Sequence, residues 1–282
     1  MKIMIRAHDL GVKGEENIVN KLIELGLDGV QLVVYKSIDG VPYAEGGLDA
    51  ARAESIGAAI RNAGKEVALV GAYFNPVHPN TEKAELGEKI FGEYLSHAKA
   101  LGASFVGSET GSFMGDPWGF HPDNASPEAR RSVAKIFQRL ADVGKKQGAC
   151  VGIEGAYCHV CSTPDVLNDV IREIDRDNVK VIFDLYNYIS DENYESAYNI
   201  LQRGHELFGS DILLYHVKDF VVNDGRISQC GVGKGVLDFK RILSEIYRYN
   251  PDAILVLEGT MGDDIPYAIN HLRETIKEIE QI

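Results

Sequence analysis

The chain has 282 residues, 45% of them hydrophobic and 25% charged, which is the composition of an ordinary globular protein. With 29 Lys and Arg against 42 Asp and Glu, its formal net charge is -13 and no basic stripe runs along it, so nucleic acid and anionic membranes are excluded as expected partners. No apolar run approaches the roughly 20 residues of a membrane helix, and the opening MKIMIRAHDL predicts a strand rather than a signal peptide, so we expect a cytoplasmic protein.

The predicted strands are short, rich in β-branched residues and apolar on both faces, as parallel strands covered by helices must be. In chain order they lie near residues 2–7, 29–35, 66–73, 103–109, 149–155, 179–185, 212–218 and 253–259. Each start is separated from the next by enough residues for a right-handed crossover helix.

Helical periodicity and end signals fill the segments between these strands. One helix ends at Gly26, a second begins behind Ser126 and ends near Gly148, and a third begins at the N-cap candidate Thr163, followed by Pro164. The alternation of strand and helix therefore continues along the whole chain.

Eight strand–helix units in about 280 residues fit a closed barrel better than an open sheet. No linker rich in Pro, Gly or Ser divides the chain, and the G-x-G-x-x-G of the open doubly wound alternative is missing after the first strand. The prediction is an α/β protein in which residues 1–282 form a single (β/α)8 TIM-barrel domain.

Four ligand-type side chains lie at the ends of consecutive predicted strands. They are Glu154, Asp184, His216 and Glu258. In a barrel these strand ends meet at one mouth, where three carboxylates and an imidazole need a cation. Each residue alone could be a helix cap, a core histidine or an acceptor of backbone N–H groups, but four at one depth favour a metal site. The oxygen-rich set suits Mn²⁺, Mg²⁺ or Co²⁺, with Zn²⁺ also allowed.

The stretches VGIEGA, VIFDLYN, LLYHVKD and LVLEGT resemble the metal-ligand motifs of the xylose-isomerase-like TIM barrels. This superfamily contains ketose 3-epimerases, hydroxypyruvate isomerase and inosose dehydratase. The resemblance follows the strand order over the whole chain. It implies one divalent ion, commonly Mn²⁺, bound by Glu154, Asp184, His216 and Glu258, with the two glutamates as acid and base.

The resemblance thus implies a metal-dependent isomerase or epimerase of a small sugar, keto-sugar or hydroxy-keto acid. Proton transfer would pass through a cis-enediolate that the ion stabilises as a Lewis acid. A sugar or cyclitol dehydratase would use the same residues, and the sequence does not choose between them. The family also allows a homo-oligomer.

Three substrate-binding candidates come from the departures from that family. Asn187 stands where ketose 3-epimerases and hydroxypyruvate isomerases usually have a His, and an amide can bind substrate oxygen but cannot titrate. Those epimerases tend to have an Arg shortly after the His ligand, whereas this chain has Lys218 and Arg226.

Other polar side chains at predicted strand ends are expected to hold sugar hydroxyls. They are His8, Asn75, His78, Glu109 and His159, with Glu109 directly following its strand. A long loop, residues 110–127, adds Trp118, and we expect it to be a lid over the substrate, although a packing or subunit contact would also explain it.

Two further motifs each have two interpretations. GVGKG, residues 231–235, could bind a phosphate with Lys234 or could simply lead into the helix near Asp238. Cys158 and Cys161 form a C-x-x-C, which we expect to be reduced thiols rather than a redox or metal pair, because zinc would need a second such pair.

Two other function classes fit less well. A nuclease resembling AP endonucleases would need more His and carboxylate ligands for several zinc ions and a basic rim, and the net charge of -13 argues against one. A barrel that binds sugar without catalysis would not need all four ligands. The expected partner is therefore a small carbohydrate substrate.

Overall fold

The apolar runs of the sequence form the strands of a barrel in the computed structural model, which describes residues 1–281. The strands are β1 (Lys2–Arg6), β2 (Gly29–Leu32), β3 (Glu66–Gly71), β4 (Phe105–Glu109), β5 (Cys150–Glu154), β6 (Val179–Asp184), β7 (Ile212–Val217), β8 (Asp219–Asn223), β9 (Arg226–Cys230) and β10 (Ile254–Leu257). The α-helices are α1 (Glu15–Leu25), α2 (Val34–Ser37), α3 (Ala50–Asn62), α4 (Thr81–Leu101), α5 (Pro127–Gln147), α6 (Pro164–Ile174), α7 (Ala197–Phe208), α8 (Phe239–Tyr249) and α9 (Asp264–Ile279).

Eight of the strands pair in parallel and close on themselves in the order β1-β10-β7-β6-β5-β4-β3-β2. The barrel closes where β1 pairs with β10, with Ile3 opposite Leu255. The predicted (β/α)8 TIM barrel is therefore confirmed. No helix within residues 1–281 is both long enough and apolar enough to cross a bilayer.

A separate cluster of buried apolar side chains from β1, β3, β6, β7 and β10 fills the barrel interior. They are Met4, Ala68, Leu69, Ile182, Leu214 and Val256. Gly107 leaves room for one of them, since a Cβ at this position would lie 2.4 Å from the Cδ1 of Ile182. Burying a side chain of this size stabilises the fold by about 1.5–3 kcal/mol, and the filled interior leaves the mouth as the place for chemistry.

The predicted helix ends are confirmed where the sequence carried capping signals. The Ser126 side chain accepts a hydrogen bond from the backbone N–H of Ala129 at the start of α5, and Thr163 accepts one from Val166 at the start of α6. Gly26 and Gly148 end α1 and α5 in the left-handed conformation.

The structure corrects two parts of the prediction. The strand predicted over 29–35 ends at Leu32, and the chain turns into α2 two residues later. β8 and β9, which were not predicted, form an antiparallel hairpin directly after β7. Its signal is in the sequence, because Asp224 and Gly225 have φ values of 50° and 75°, as the two central residues of a type I′ turn require.

Candidate metal centre

Four side chains from neighbouring strands converge at the mouth of the barrel. Glu154 and Asp184 end β5 and β6, His216 is the penultimate residue of β7, and Glu258 directly follows β10. One ligand atom from each lies within 4.8 Å of the others, and no second group of this kind occurs in residues 1–281. The first three are buried, and the side chain of Glu258 is 13% exposed.

The imidazole of His216 is held by a chain of hydrogen bonds that reaches β2. Its Nε2 lies 2.6 Å from Oε1 of Gln31, and the Nε2 of Gln31 donates to the Tyr73 hydroxyl at 2.8 Å. Because the amide oxygen of Gln31 can only accept, Nε2 of His216 carries a proton, and Nδ1 is the nitrogen that faces the cluster. A metal-binding histidine is oriented in this way by its other nitrogen.

The Nδ1 atom of His216 faces three carboxylates. It lies 3.1 Å from Oε1 of Glu154, 3.1 Å from Oε2 of Glu258 and 3.6 Å from Oδ2 of Asp184. Three carboxylates that face one nitrogen need a positive charge beside them, either a proton on Nδ1 or a metal ion in its place. Burial opposes protonation, but the charges of Glu154 and Glu258 outweigh it and raise the pKa of His216 to about 10. This donor set therefore fits a divalent cation.

Lys218 sets the charge of the cluster. Its ammonium lies 2.7 Å from Oδ2 of Asp184, 2.9 Å from Oε1 of Glu258 and 3.0 Å from Oδ1 of Asn187. All three N–H donors of Lys218 are thus used inside the cluster. The sequence analysis had predicted Lys218 to bind substrate instead. With His216 neutral, as it would be when it binds a metal, three carboxylates against one ammonium leave two negative charges, which a divalent ion would balance.

Arg6 supports Glu258 without changing this charge balance. Its Nη1 donates to Oε1 of Glu258 at 2.7 Å, and its Nε and Nη2 donate to the carboxylate of Asp9, each at 3.0 Å. Asp9 also accepts from the N–H of Gly259 at 2.8 Å, which fixes the backbone next to Glu258. The sequence analysis missed Arg6 and Gln31, although a glutamine inside the apolar stretch GVQLVV was an available signal.

The two glutamates of the cluster have different surroundings. Apart from His216, Glu154 is contacted by neutral donors, the amide of Asn187 at 2.7 Å and the hydroxyl of Tyr73 at 3.4 Å. Burial raises the pKa of Glu154. Burial also acts to raise the pKa of Glu258, but Lys218 and His216 outweigh it and hold that pKa well below its usual range.

Two cavities lie beside this cluster, one lined by Asn187 and the other by Tyr73, which both contact Glu154, and Trp118 lines both cavities. The polar cavity, of about 450 Å³, is lined by residues that include Glu109, Trp118, Tyr157, His159, Tyr186 and Asn187. The aromatic cavity, of about 410 Å³, is lined by residues that include Tyr35, Tyr43, Tyr73, Asn75, His78 and Trp118. Besides Trp118 and Lys218, the structure therefore brings five predicted substrate-binding residues to the mouth. Glu109, His159 and Asn187 line the polar cavity, and Asn75 and His78 line the aromatic cavity.

Glu109 and His159 face the polar cavity in neutral forms. Burial and the nearby charge of Glu154 raise the pKa of Glu109 to about 8, and Glu109 pairs with Glu154 across β4 and β5. Burial lowers the pKa of His159 to about 4, and its ring packs edge-on against Trp118 with centroids 5.7 Å apart. At neutral pH this cavity thus presents a carboxylic acid and a neutral imidazole.

The structure does not bring two predicted residues into either cavity. Arg226 is exposed beside the turn of the β8–β9 hairpin and lines neither cavity. His8 lies directly after β1 on a short 3-10 helix, and burial and the charge of Arg6 lower its pKa to about 4. A substrate-binding role for these two residues stays a prediction.

The loop of residues 110–127 is tied to both neighbouring strand ends. The amide of Asn75 donates to the carbonyl of Ser112 at 2.7 Å and accepts from its N–H at 3.0 Å, so it holds the loop. Asn124 donates to the carbonyl of Cys158 at 2.8 Å. Phe113 packs against the core and Phe120 is 73% exposed, so Trp118 is the aromatic residue of the loop that lines both cavities. Its role as a lid stays a prediction.

The glycine-rich stretch 231–235 wraps around an internal carboxylate. The N–H groups of Gly233 and Gly235 donate to Oδ2 of Asp219 at 3.0 and 2.8 Å. A Cβ at position 235 would lie 2.2 Å from Oδ1 of Asp219, so this close approach requires glycine. Lys234 pairs with Asp264. The donors that a phosphate would need are therefore already used within the protein.

Comparisons with known proteins agree with the barrel fold. A family model described as xylose isomerase-like TIM barrel matches residues 19–278. No curated protein matches the chain by sequence.

Several solved structures share the fold. A D-tagatose 3-epimerase-like protein is 16% identical with a TM-score of 0.78, covering 100% of this chain and 99% of that one. The IolI protein with a bound zinc atom is 14% identical with a TM-score of 0.74, covering 99% and 98%. The 3-keto-D-glucoside 4-epimerase YcjR from E. coli is 20% identical with a TM-score of 0.72, covering 100% of both chains. At these identities the likeness shows the fold.

Proposed function

This chain belongs to the xylose isomerase-like TIM barrel family, and from that premise we propose that it is a divalent-metal-dependent isomerase or epimerase of a small sugar, keto-sugar or hydroxy-keto acid. The neighbours described as epimerases of tagatose type and of 3-keto-D-glucoside support this reaction class. The neighbour described with zinc supports a metal at this position of the fold.

One observation carries the proposal. The carboxylates of Glu154 and Glu258 come from opposite flanks of the cluster, on β5 and after β10, and both approach the same nitrogen of His216 at 3.1 Å. Two carboxylates on opposite flanks of a bound ion could remove a proton from a carbon of the substrate beside it and return the proton to the neighbouring carbon or to the opposite face. Isomerisation and epimerisation differ in that last step alone.

Glu154, Asp184, His216 and Glu258 would hold the ion, which when bound would polarise a substrate carbonyl and acidify the adjacent C–H. Glu154 is the better base of the two glutamates, because its other contacts are neutral donors whereas Glu258 is held ionised by Arg6 and Lys218. Asn187 bridges Glu154 and Lys218 and so fixes the direction of the Glu154 carboxylate.

Exchange of substrate C–H for deuterium tests this proposal. The purified protein is incubated with a panel of ketoses and aldoses in D₂O, loaded in turn with Mn²⁺, Mg²⁺, Co²⁺ or Zn²⁺, and deuterium at C2 or C3 is read by NMR. Glu154→Gln is expected to slow exchange by about 10²–10⁴-fold. Glu82→Gln, on the exposed first turn of α4, is the control and is expected to keep the full rate. Exchange that persists in both Glu154→Gln and Glu258→Gln would refute the acid and base roles.

Glu109 favours one second candidate, a dehydratase that uses the same centre. Its side chain lines the polar cavity and, with a pKa raised to about 8 by burial and Glu154, is protonated at neutral pH. A carboxylic acid in that place can donate a proton to a leaving hydroxyl after Glu154 has removed the C–H proton. Mass spectrometry separates the two reactions, since isomerisation conserves the mass and dehydration yields a product lighter by one water.

The proposal includes several finer expectations. Mn²⁺ is the expected native ion because the donor set has three oxygens and one nitrogen. We also propose a cytoplasmic location, a single domain over residues 1–282 and the capacity to form a homo-oligomer. Metal analysis of the purified protein and light scattering address the ion and the oligomer directly.

A further inference from the structure

The aromatic cavity has no role in the proton transfer proposed above. Its walls include the rings of Tyr35, Tyr43, Tyr73 and Trp118, and its volume is about 410 Å³. Pockets that hold small ligands have volumes of about 300–1,000 Å³. The aromatic cavity is therefore large enough for a ligand group of its own, in addition to whatever occupies the polar cavity.

Tyr73 joins this cavity to the metal centre. Its ring lines the cavity, while its hydroxyl lies 3.4 Å from Oε2 of Glu154 and accepts a hydrogen bond from Gln31. Trp118 lines both cavities. A molecule that binds in the polar cavity beside Asn187, which contacts Glu154, can therefore extend past Trp118 into the aromatic cavity.

The chemistry of the walls indicates a neutral group with apolar faces and polar edges. The rings of Tyr35 and Tyr43 meet at 58° with centroids 4.7 Å apart and form an apolar corner. Lys83 and Asp116, the charged residues of the lining, are paired with each other, so the cavity offers no free charge to a phosphate. A sugar ring has C–H faces that pack on aromatic rings and hydroxyls at its edge.

We propose that the aromatic cavity is a subsite for a second sugar ring, so that the substrate is a disaccharide or another glycoside whose reacting ring occupies the polar cavity. This inference rests on the proposed function and specifies its substrate class. The two cavities, of about 450 and 410 Å³, are of similar size. Each one takes one ring, and Trp118 contacts both.

Binding to Trp118, the single tryptophan of the chain, tests this proposal without turnover. Its fluorescence is titrated with maltose, cellobiose and sucrose and with D-glucose and D-fructose, in metal-loaded and in chelated protein. We expect at least one disaccharide to bind about 10-fold more tightly than either monosaccharide, as one further aromatic stacking contact allows.

Variants at Tyr43 separate ring stacking from other effects. Tyr43→Ala is expected to reduce the preference for the disaccharide to less than about 2-fold, whereas Tyr43→Phe keeps the ring and the preference. Tyr267→Ala, an exposed tyrosine of α9 outside both cavities, is the control and keeps the preference.

Two results would overturn the proposal. One is that no disaccharide binds more tightly than the monosaccharides, and the other is that Tyr43→Ala retains the preference. Fluorescence measures binding and deuterium incorporation measures proton transfer. A negative result in one assay therefore does not prevent the other from being measured. A protein that exchanges deuterium into monosaccharides but shows no disaccharide preference would retain the proposed function and lose this substrate class.

Discussion

The amide of Gln31 decides which nitrogen of His216 faces the metal centre. Its oxygen accepts from Nε2 of His216 at 2.6 Å, so the other nitrogen is free to bind an ion. Gln31→Leu removes that acceptor and is expected to weaken Mn²⁺ binding by about 10–100-fold, the usual effect of losing an orienting partner of a ligand histidine. Isothermal titration measures the affinity, and the His216 nitrogen chemical shifts, recorded with diamagnetic Zn²⁺ bound, report which nitrogen keeps the proton.

A matched glutamine provides the control for this prediction. Gln138 is partly buried on α5 and donates to the carbonyl of Ile174, away from the mouth. Gln138→Leu is expected to leave Mn²⁺ affinity unchanged. If Gln31→Leu bound Mn²⁺ as tightly as the wild type, with the same His216 tautomer, the orienting role would be wrong.

Lys218 partly neutralises the three carboxylates when no ion is bound. Lys218→Met keeps the length of the side chain and removes the charge, which leaves Asp184 and Glu258 without their contacts at 2.7 and 2.9 Å. We expect the free energy of unfolding of the metal-free variant to fall by about 3–5 kcal/mol, because a buried charge pair is broken. Its unfolding temperature falls accordingly.

The same substitution has the opposite effect on the ion. With three carboxylates and no ammonium, the site gains net negative charge, so Mn²⁺ is expected to raise the unfolding temperature more in Lys218→Met than in the wild type. Thermal unfolding with and without Mn²⁺ checks both halves. A variant that is destabilised and also gains less from Mn²⁺ would show that Lys218 shapes the ligands rather than balancing their charge.

At the scale of the elements, the sequence predicted what depends on local pattern. Buried parallel strands are apolar runs, and Ser126 and Thr163 cap helices by accepting hydrogen bonds from backbone N–H groups three residues further on. Strands and helix starts could therefore be predicted from short stretches of sequence. Glu154 and Asp184 were found because each ends such a run. The role of Lys218 could not be predicted in this way, because its partners Asp184 and Glu258 come from other strands.

The β8–β9 hairpin was missed for a related reason. Its strands alternate polar and apolar residues weakly, and the Asp224–Gly225 turn was the single clear signal. The hairpin packs beside the mouth, where Gln229 donates to the carbonyl of Glu258 at 3.1 Å and Ile227 lines the polar cavity. Part of the boundary of the candidate site thus comes from an element that breaks the strand–helix alternation.

The outer layer contains a pH-sensitive contact between helices α7 and α8. His205 is buried, and its ring stacks on Tyr249. Its Nε2 lies 2.9 Å from the Tyr215 hydroxyl, and its Nδ1 lies 3.7 Å from the carboxylate of Glu245. Arg248 forms an ion pair with the same carboxylate. Burial lowers the pKa of His205 below its usual 6.5, despite the opposing charge of Glu245. The unfolded chain therefore binds this proton more readily, and stability is lost as the pH falls below about 6.5.

A variant isolates this contribution. The unfolding temperature of the wild type is expected to fall more between about pH 7.5 and 5.5 than that of His205→Gln, which has no imidazole to charge. His97→Gln, which replaces a partly exposed histidine of α4, is the control and is expected to keep the wild-type fall. Equal falls in wild type and His205→Gln would show that this histidine does not contribute to acid sensitivity.

At the scale of the whole molecule, the candidate metal centre links one half of the barrel. Its ligands lie at the ends of β5, β6 and β7 and directly after β10. These are four neighbouring strands of the closed sheet, whereas β2 and β3 contribute no ligand. In the metal-free protein the ends of these four strands carry the repulsion between the carboxylates. An ion that binds all four would therefore stabilise this half selectively.

Hydrogen exchange measured by mass spectrometry checks that selectivity. At about 100 times the dissociation constant, Mn²⁺ should stabilise the fold by about 2.7 kcal/mol, and we expect slower exchange in peptides that contain the ends of β5, β6, β7 and β10. Peptides from β2 and β3 should change less, apart from Gln31, which contacts His216. Asp184→Asn should remove the difference between the two halves. Equal protection around the barrel would instead mean that the ion acts on global unfolding alone, and no protection would mean that these four side chains do not bind it.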